Sequence, residues 1–226
     1  MSTVLITGAN RGIGLALASC FVEEGWEVHA CCRHPEKATA LKALGESVTI
    51  HRLDVMDMLQ TENLARSLSD VPLDILVNNA GAKDPGSPFG KVSYEEWSRV
   101  FAINTMAPLH LAERFVDQLE RGSRKLIVNI SSRMGSIGDN DSGGSYIYRS
   151  SKAALNMVTR SLSIDLADRG ISAIAVHPGW VRTKMGGPNA HLDTDESAGS
   201  LKDLMLNLRP EDNGCLLNHD GQRLPW

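Results

Sequence analysis

The chain has no long apolar run, no cysteine spacing of the metal or redox kind, and no block of like charge. No segment approaches the ~18 apolar residues needed to cross a bilayer. The first apolar stretch, Val4–Ile6, is too short for a secretory signal and lacks a basic start and a cleavage site. The four cysteines, Cys20, Cys31, Cys32 and Cys215, form no CxxC pair and no metal-ligand set. Cys31 and Cys32 are adjacent in an apolar run, where successive side chains point to opposite faces. They read as small buried residues of a reducing compartment. A formal charge of −4, without basic clusters, gives no electrostatic reason to bind nucleic acid or an anionic membrane. These absences predict a cytoplasmic protein without metal, nucleic-acid or membrane partners.

What remains is an alternation of short apolar runs and longer segments of helical period. The runs Val4–Ile6, Glu27–Cys32, Ser47–Leu53, Asp74–Val77, Lys125–Ile130 and Ser172–Val176 are nearly unbroken, as in strands buried on both faces. A last short strand is expected at Gly214–Asn218. Between them, Leu15, Ala18, Phe21 and Val22 make one helical face, and Leu155, Val158, Leu162 and Leu166 another. Trp97, Val100, Phe101, Met106 and Leu109 make a third, which Pro108 should kink or shift. At 226 residues the pattern predicts an α/β fold. It is a single doubly wound Rossmann-type domain over residues 1–226, with about seven parallel strands and helices on both faces. The longest loops, Arg133–Ser145 and Arg182–Thr194, fall late, where such folds place binding sites.

The first strand runs into Thr7-Gly8-Ala9-Asn10-Arg11-Gly12-Ile13-Gly14. A glycine triplet alone also marks ordinary turns, but this one follows a strand and opens a helix, as a dinucleotide site requires. Gly8 allows the tight turn, Gly12 lets the backbone approach a pyrophosphate, and Gly14 lets the helix pack on the strand. The helix N-terminus then offers free N–H groups to the phosphates. NAD-binding folds place Asp or Glu at the end of the second strand, against the ribose 2′-hydroxyl. Here that strand ends Ala30-Cys31-Cys32-Arg33. With no acid to repel a 2′-phosphate, and with Arg33 and Arg11 to bind it, the expected cofactor is NADP. The plain alternative is two solvated surface arginines.

Further motifs follow in order: Asn78-Asn79-Ala80-Gly81, Asn129-Ile130-Ser131-Ser132, Tyr148-(x)3-Lys152 and His177-Pro178-Gly179-Trp180-Val181-x-Thr183. Together with the glycine loop they resemble the short-chain dehydrogenase/reductase family along essentially the whole chain. The stretch from Arg133 to Lys152 and the ending Asn218-His219-Asp220-Gly221-(x)3-Pro225-Trp226 are similar to its C-factor and sniffer-type carbonyl reductases. The resemblance implies that Ser132 orients the substrate oxygen, with Ser131 or Ser136 as substitutes. Ser132 stands sixteen positions before Tyr148, a longer spacing than is usual in the family. The resemblance also implies that Asn104 kinks its helix and relays protons through a water to Lys152, and that Lys152 holds the nicotinamide ribose. Asp54 and Val55 would flank the adenine. Asn78, Ala80 and Gly81 would line the cofactor, and Pro178, Gly179, Val181 and Thr183 would meet the nicotinamide. Association into dimers or tetramers is implied as well.

The chemistry also follows from the residues. Tyr148 and Lys152 lie four apart, on one face of a helix. A free phenol ionises near pH ~10, and an adjacent ammonium should lower that value, giving an acid/base for a carbonyl or an alcohol. The alternative is an amphipathic tyrosine beside a solvated lysine. Three functions compete: an NADP-dependent carbonyl reductase, a sugar-nucleotide epimerase or dehydratase, and a cofactor-binding signalling protein of slow turnover. The short stretch after Trp180 argues against the second, and the Asn104/Ser132/Tyr148/Lys152 set argues against the third. Phe89, Met134, Ile137, Trp180 and Met185 suggest a mostly apolar substrate site for medium-sized aldehydes, ketones or quinones. Arg133 and Arg182 are the nearest candidates for an anion contact.

Overall fold

A computed structural model describes residues 1–226. Seven strands form one parallel sheet: β1 (Thr3–Thr7), β2 (Glu27–Cys32), β3 (Val48–Arg52), β4 (Ile75–Asn78), β5 (Leu126–Ile130), β6 (Ser172–His177) and β7 (Leu216–Asn218). Their order is β3-β2-β1-β4-β5-β6-β7, and every adjacent pair is parallel. Each run of buried apolar residues in the sequence became a strand, with ends moved by a residue or two.

The helices are α1 (Gly12–Glu23), the short α2 (Thr39–Lys42), α3 (Met58–Ser67), α4 (Tyr94–Phe101), α5 (Ala107–Arg121), α6 (Tyr146–Asp165) and α7 (Thr194–Leu206). Side chains alternate across each strand, so the sheet carries two cores. Ile6, Val28, Val77, Val128 and Ile174 face α1 and α7, where Leu17, Phe21, Leu201 and Met205 pack on them. Leu5, Leu76, Ile127 and Ala173 face α3, α5 and α6, against Leu64, Leu111, Phe115, Leu119 and Leu162. Fully burying such a side chain contributes roughly 1.5–3 kcal/mol, enough to fix the strand register that brings the carboxyl ends together. Because β1 lies between β2 and β4, chain connections diverge on either side of its carboxyl end, which opens a crevice there.

Two helix boundaries bear on the site. A π-helical turn, Ala102–Met106, joins α4 to α5. The residue pattern alone places this interruption at Pro108, but Pro108 lies in the first turn of α5, where its missing N–H costs nothing. Asn104 sits inside the π turn, where the family resemblance put the kink. Before α6, Gly143, Gly144 and Ser145 all take left-handed backbone conformations, with φ of 62°, 62° and 47°. A Cβ on either glycine would meet nothing within 4 Å, so glycine is used here for φ rather than for room.

After β7 the chain folds back. Gln222 O accepts from Asn218 N and Leu216 O from Leu224 N, both at 2.8 Å. It ends with the Trp226 main-chain oxygen accepting from Ile137 N and Gly138 N, both at 2.9 Å, and from Ser136 Oγ at 3.3 Å.

On β2 and β3, His29 pairs with Thr49 and Cys31 with His51, so the two histidines are diagonal neighbours on one face. Nδ1 of His29 and Nε2 of His51 are 2.9 Å apart and share one proton. Burial, then the charge of His29, holds His51 down to about 4, and burial lowers His29 too. The unfolded chain therefore binds protons here before the folded one does. Stability should fall as pH drops from about 6.5 to about 4, with His51 contributing on the order of 1 kcal/mol once its partial exposure is allowed for and His29 acting in the same direction. Denaturant midpoints of wild type and His51→Gln across that window check this. A wild-type midpoint that stays level, or an equally steep His51→Gln curve, would exclude the pair as the cause.

Candidate active site

Thr7 ends β1, and its hydroxyl ties that end to β4. Oγ1 accepts from Asn79 N and Ala80 N, both at 3.0 Å, and donates to Val77 O at 3.3 Å. Asn79 Nδ2 donates to Thr7 O at 2.8 Å and to Gly8 O at 3.2 Å, bracing the turn. Gly8 has φ +65°, and a Cβ there would stand 3.0 Å from Ala80 Cα. At Gly14 a Cβ would lie 2.5 Å from Asn79 Nδ2 and 2.6 Å from Gly8 O, so α1 packs on β1 only because this residue has none. Thr183 packs against Gly12, its Cγ2 at 3.5 Å from the Cβ position. The first turn of α1 carries no acidic residue, and Asn10 and Arg11 are exposed beside it. The loop thus presents N–H groups and a positive helix end to open space, a setting that fits a pyrophosphate. Sequence reading left Thr7 and Asn79 without roles. Their signal was a hydroxyl before the first glycine and the doubled asparagine.

Arg33 and Arg11 are both exposed, and neither enters an ion pair. Arg52, overlooked in the sequence, stands next to Arg33 and donates to its carbonyl at 3.2 Å, while its other nitrogen pairs with Glu36 at 3.0 Å. Asp54 accepts from Met56 N, closing the turn after β3, and Val55 packs on the second core. Asn78 departs from expectation. Its side chain is buried and donates to Asn129 Oδ1 at 2.8 Å and to Pro108 O at 3.4 Å, so it joins strands rather than facing the crevice.

Gly81 links the two halves of the site. A Cβ there would be 3.4 Å from Asn104 Oδ1 and 3.9 Å from Lys152 Nζ. The Asn104 amide is fully engaged, accepting from Ala82 N at 2.8 Å and donating to Ala82 O at 2.8 Å and Ser151 Oγ at 3.0 Å. Lys152 is buried and donates to Ile130 O at 2.7 Å. Its Nζ lies 5.9 Å from the Tyr148 ring centroid. Ser132 is buried just past the end of β5, and its Oγ accepts from Met134 N at 3.1 Å. The other serines are committed elsewhere: Ser131 donates to Asn156 at 2.6 Å, and Ser136 to Trp226 O.

Burial pushes the Tyr148 phenol up to about 12, with the Ser132 hydrogen bond opposing it. Burial also brings Lys152 down to about 8. Burial of the hydroxyl thus acts against the lowering expected from Lys152. At neutral pH the pair is a protonated phenol beside a protonated amine, a proton donor in waiting.

The loops after β4, β5 and β6 carry the apolar side chains foreseen for substrate: Phe89, Ile137, Trp180 and Met185 are exposed, and Met134 is half-buried. Arg182 is held in its own loop by Ala190 O, His191 O and Asp193, and Arg133 is 3.7 Å from Asp139. At the end of β6, burial and then the Arg133 charge hold His177 down to about 4.

A family model described as short chain dehydrogenase matches residues 2–192. The chain is a short-chain dehydrogenase/reductase. Among members of the family, C-signal of Myxococcus xanthus is 40% identical over 155 residues, covering 69% of this chain and 93% of that protein. The carbonyl reductase Sniffer of D. melanogaster superposes over the full length of both chains with a TM-score of 0.96 at 34% identity. An NADPH-bound carbonyl reductase from chicken fatty liver superposes with a TM-score of 0.93 at 35% identity, covering 100% of this chain and 99% of that one. Like these dehydrogenase/reductases, the chain has one parallel sheet clad by helices. No helix is long and apolar enough to cross a membrane.

Proposed function

We propose that the chain is an NADP-dependent carbonyl reductase acting on a small-molecule carbonyl or, in reverse, an alcohol. The observation that carries this reading is a buried Tyr148 one helical turn from a buried Lys152, whose Nζ lies 5.9 Å from the phenol ring centroid, with Asn104 and the Gly81 strip against that amine. NADP fits the residues: a glycine turn closed to any Cβ, a helix end without acid, and two unpaired arginines where an NAD site would hold a carboxylate. When bound in its reduced form, it supplies the hydride. Ser132 holds the substrate oxygen by a hydrogen bond, and Tyr148 delivers a proton to that oxygen as it becomes an alkoxide. Lys152 keeps a positive charge beside the phenol, and Asn104 fixes Ala82 and Ser151 around it. Arg33 and Arg11 take the 2′-phosphate. Pro178, Gly179, Val181 and Thr183 close the far side of the crevice.

We also propose that the chain works as one domain and pairs into a homodimer or homotetramer. Met106 and Leu109 near the start of α5, and Met157 and Ile164 on α6, are exposed apolar side chains that such pairing would cover. The cytoplasm is the compartment proposed from the free cysteines.

The test is a panel of aldehydes, ketones and quinones with NADPH, read by NADPH absorbance. Steady consumption with at least one carbonyl class is expected. The likeness to C-signal favours a second reading, a cofactor-binding signalling protein with slow turnover. Tight NADPH binding without consumption across the whole panel would select that reading.

A further inference from the structure

The reaction site has a cation that its mechanism does not use. Lys83 is exposed, and its Nζ stands 5.8 Å from the centroid of the Tyr148 ring, as near as that of Lys152. The backbone around it is fixed on both sides. Asn104 grips both polar atoms of Ala82. Asp84 is buried and accepts from Gly86 N at 3.1 Å, and the buried Ser87 hydroxyl accepts from Ile147 N at 3.2 Å, next to Tyr148 itself. A flexible four-carbon stem is therefore launched from a braced loop directly beside the proton donor.

No carboxylate pairs with this ammonium. The adjacent acid, Asp84, is buried and accepts from Gly86 N. Arg149, one residue beyond Tyr148, is spent on the loop after β5, donating to Met134 O and Ser142 Oγ. A bare cation resting on an aromatic face in water contributes little by itself. The same cation meeting an anion at the edge of a dry site forms a charge-assisted hydrogen bond, roughly twice as strong as a neutral one.

Resting on the carbonyl-reductase reading above, we propose that Lys83 is a specificity-determining residue that selects substrates carrying an anionic group, carboxylate or phosphate. Such a group pairs with the Lys83 ammonium while the carbonyl oxygen is held between Ser132 and Tyr148. A spacer of one aromatic ring between carbonyl and anion is the length chosen for the test. This narrows the apolar class foreseen from the loops: their side chains supply contact area, and Lys83 supplies the selection.

The test compares 4-carboxybenzaldehyde with uncharged 4-methylbenzaldehyde in wild type, Lys83→Met and Lys83→Arg. In Lys83→Met, the ratio of kcat/KM for the acid to that for the neutral aldehyde should drop about tenfold, mainly through KM. Lys83→Arg should keep the ratio within about threefold of wild type, and raised salt should lower it in both. An unchanged ratio in Lys83→Met overturns the proposal. If wild type reduces neither aldehyde, the carbonyl-reductase reading is in question, and direct binding of 4-carboxybenzaldehyde by ligand-observed NMR still decides the role of Lys83. Binding at least fivefold weaker in Lys83→Met supports it, and equal binding overturns it.

Discussion

Replacing Tyr148 by Phe is expected to lower kcat by about 10²–10⁴-fold, the usual worth of a positioned acid, while NADPH affinity stays within about twofold. The ring remains, so the packing of α6 and the contacts of Lys83 and Lys152 with its face survive. What disappears is the buried phenol hydroxyl, the proton donor of the proposed mechanism. Buried at about 12, the phenol keeps its proton through the physiological range and gives it up only when a stronger base appears. A carbonyl oxygen receiving a hydride becomes such a base. Steady-state kinetics together with a fluorescence titration of NADPH separate the two effects. Retention of full turnover would remove Tyr148 from the chemistry, and equal loss of binding would make its role structural.

The second large effect concerns cofactor choice. NADP differs from NAD by one phosphate, so discrimination must arise around that group. Arg33 follows the last residue of β2, exposed and without an ion-pair partner, and Arg11 precedes α1 in the same condition. A hydrogen bond to a charged group contributes roughly 1.5–3 kcal/mol, which exposure reduces to one effective contact. At about 1.4 kcal/mol per decade, NADPH should bind roughly ten- to a few hundred-fold more tightly than NADH. Arg33→Asp should place a carboxylate against the phosphate and move the preference toward NADH. Arg52 sets a limit on that reversal, since its guanidinium already lies beside residue 33 and is only partly spent on Glu36. Titration of both proteins with both cofactors decides the point. Equal affinities in wild type would leave both arginines to the solvent.

Most strands were legible because they are short apolar runs buried on two faces between longer helical segments, whereas β3 at the sheet edge is only partly buried. The glycine loop was legible for a similar reason, since a backbone crossing that tolerates no Cβ leaves a visible mark at Gly8 and Gly14. Relations made only by tertiary contact were not. The family resemblance put the helix interruption at Asn104, where the π turn lies, but its bonds to Ala82 and Ser151 are visible only in the fold, and the residue pattern alone pointed to Pro108. Three serines were eligible near the end of β5, and only folding commits Ser131 to Asn156 and Ser136 to Trp226, leaving Ser132 for the phenol. The proton affinity of Tyr148 was misjudged because a charge four residues away is visible in a sequence and the depth of burial is not. Lys83 carried no signal at all, being one lysine among many until the loop after β4 is laid across α6.

The returning tail has a consequence outside the reaction. An open sheet has two edges, and an edge strand with free N–H and C=O groups is a template on which another chain can polymerise. At β3 the exposed Thr49 and the charged Arg52 guard one edge. At β7 the guard is the chain itself, because Gln222 and Leu224 take up the outward-facing backbone groups of Asn218 and Leu216. The last residues therefore keep the protein from aggregating edge to edge, and they are the same residues whose end pins the loop at Ser136–Gly138. Proteolytic trimming there would create a sticky sheet and a loosened substrate loop in a single cut, tying the solubility of the molecule to the integrity of its reaction site.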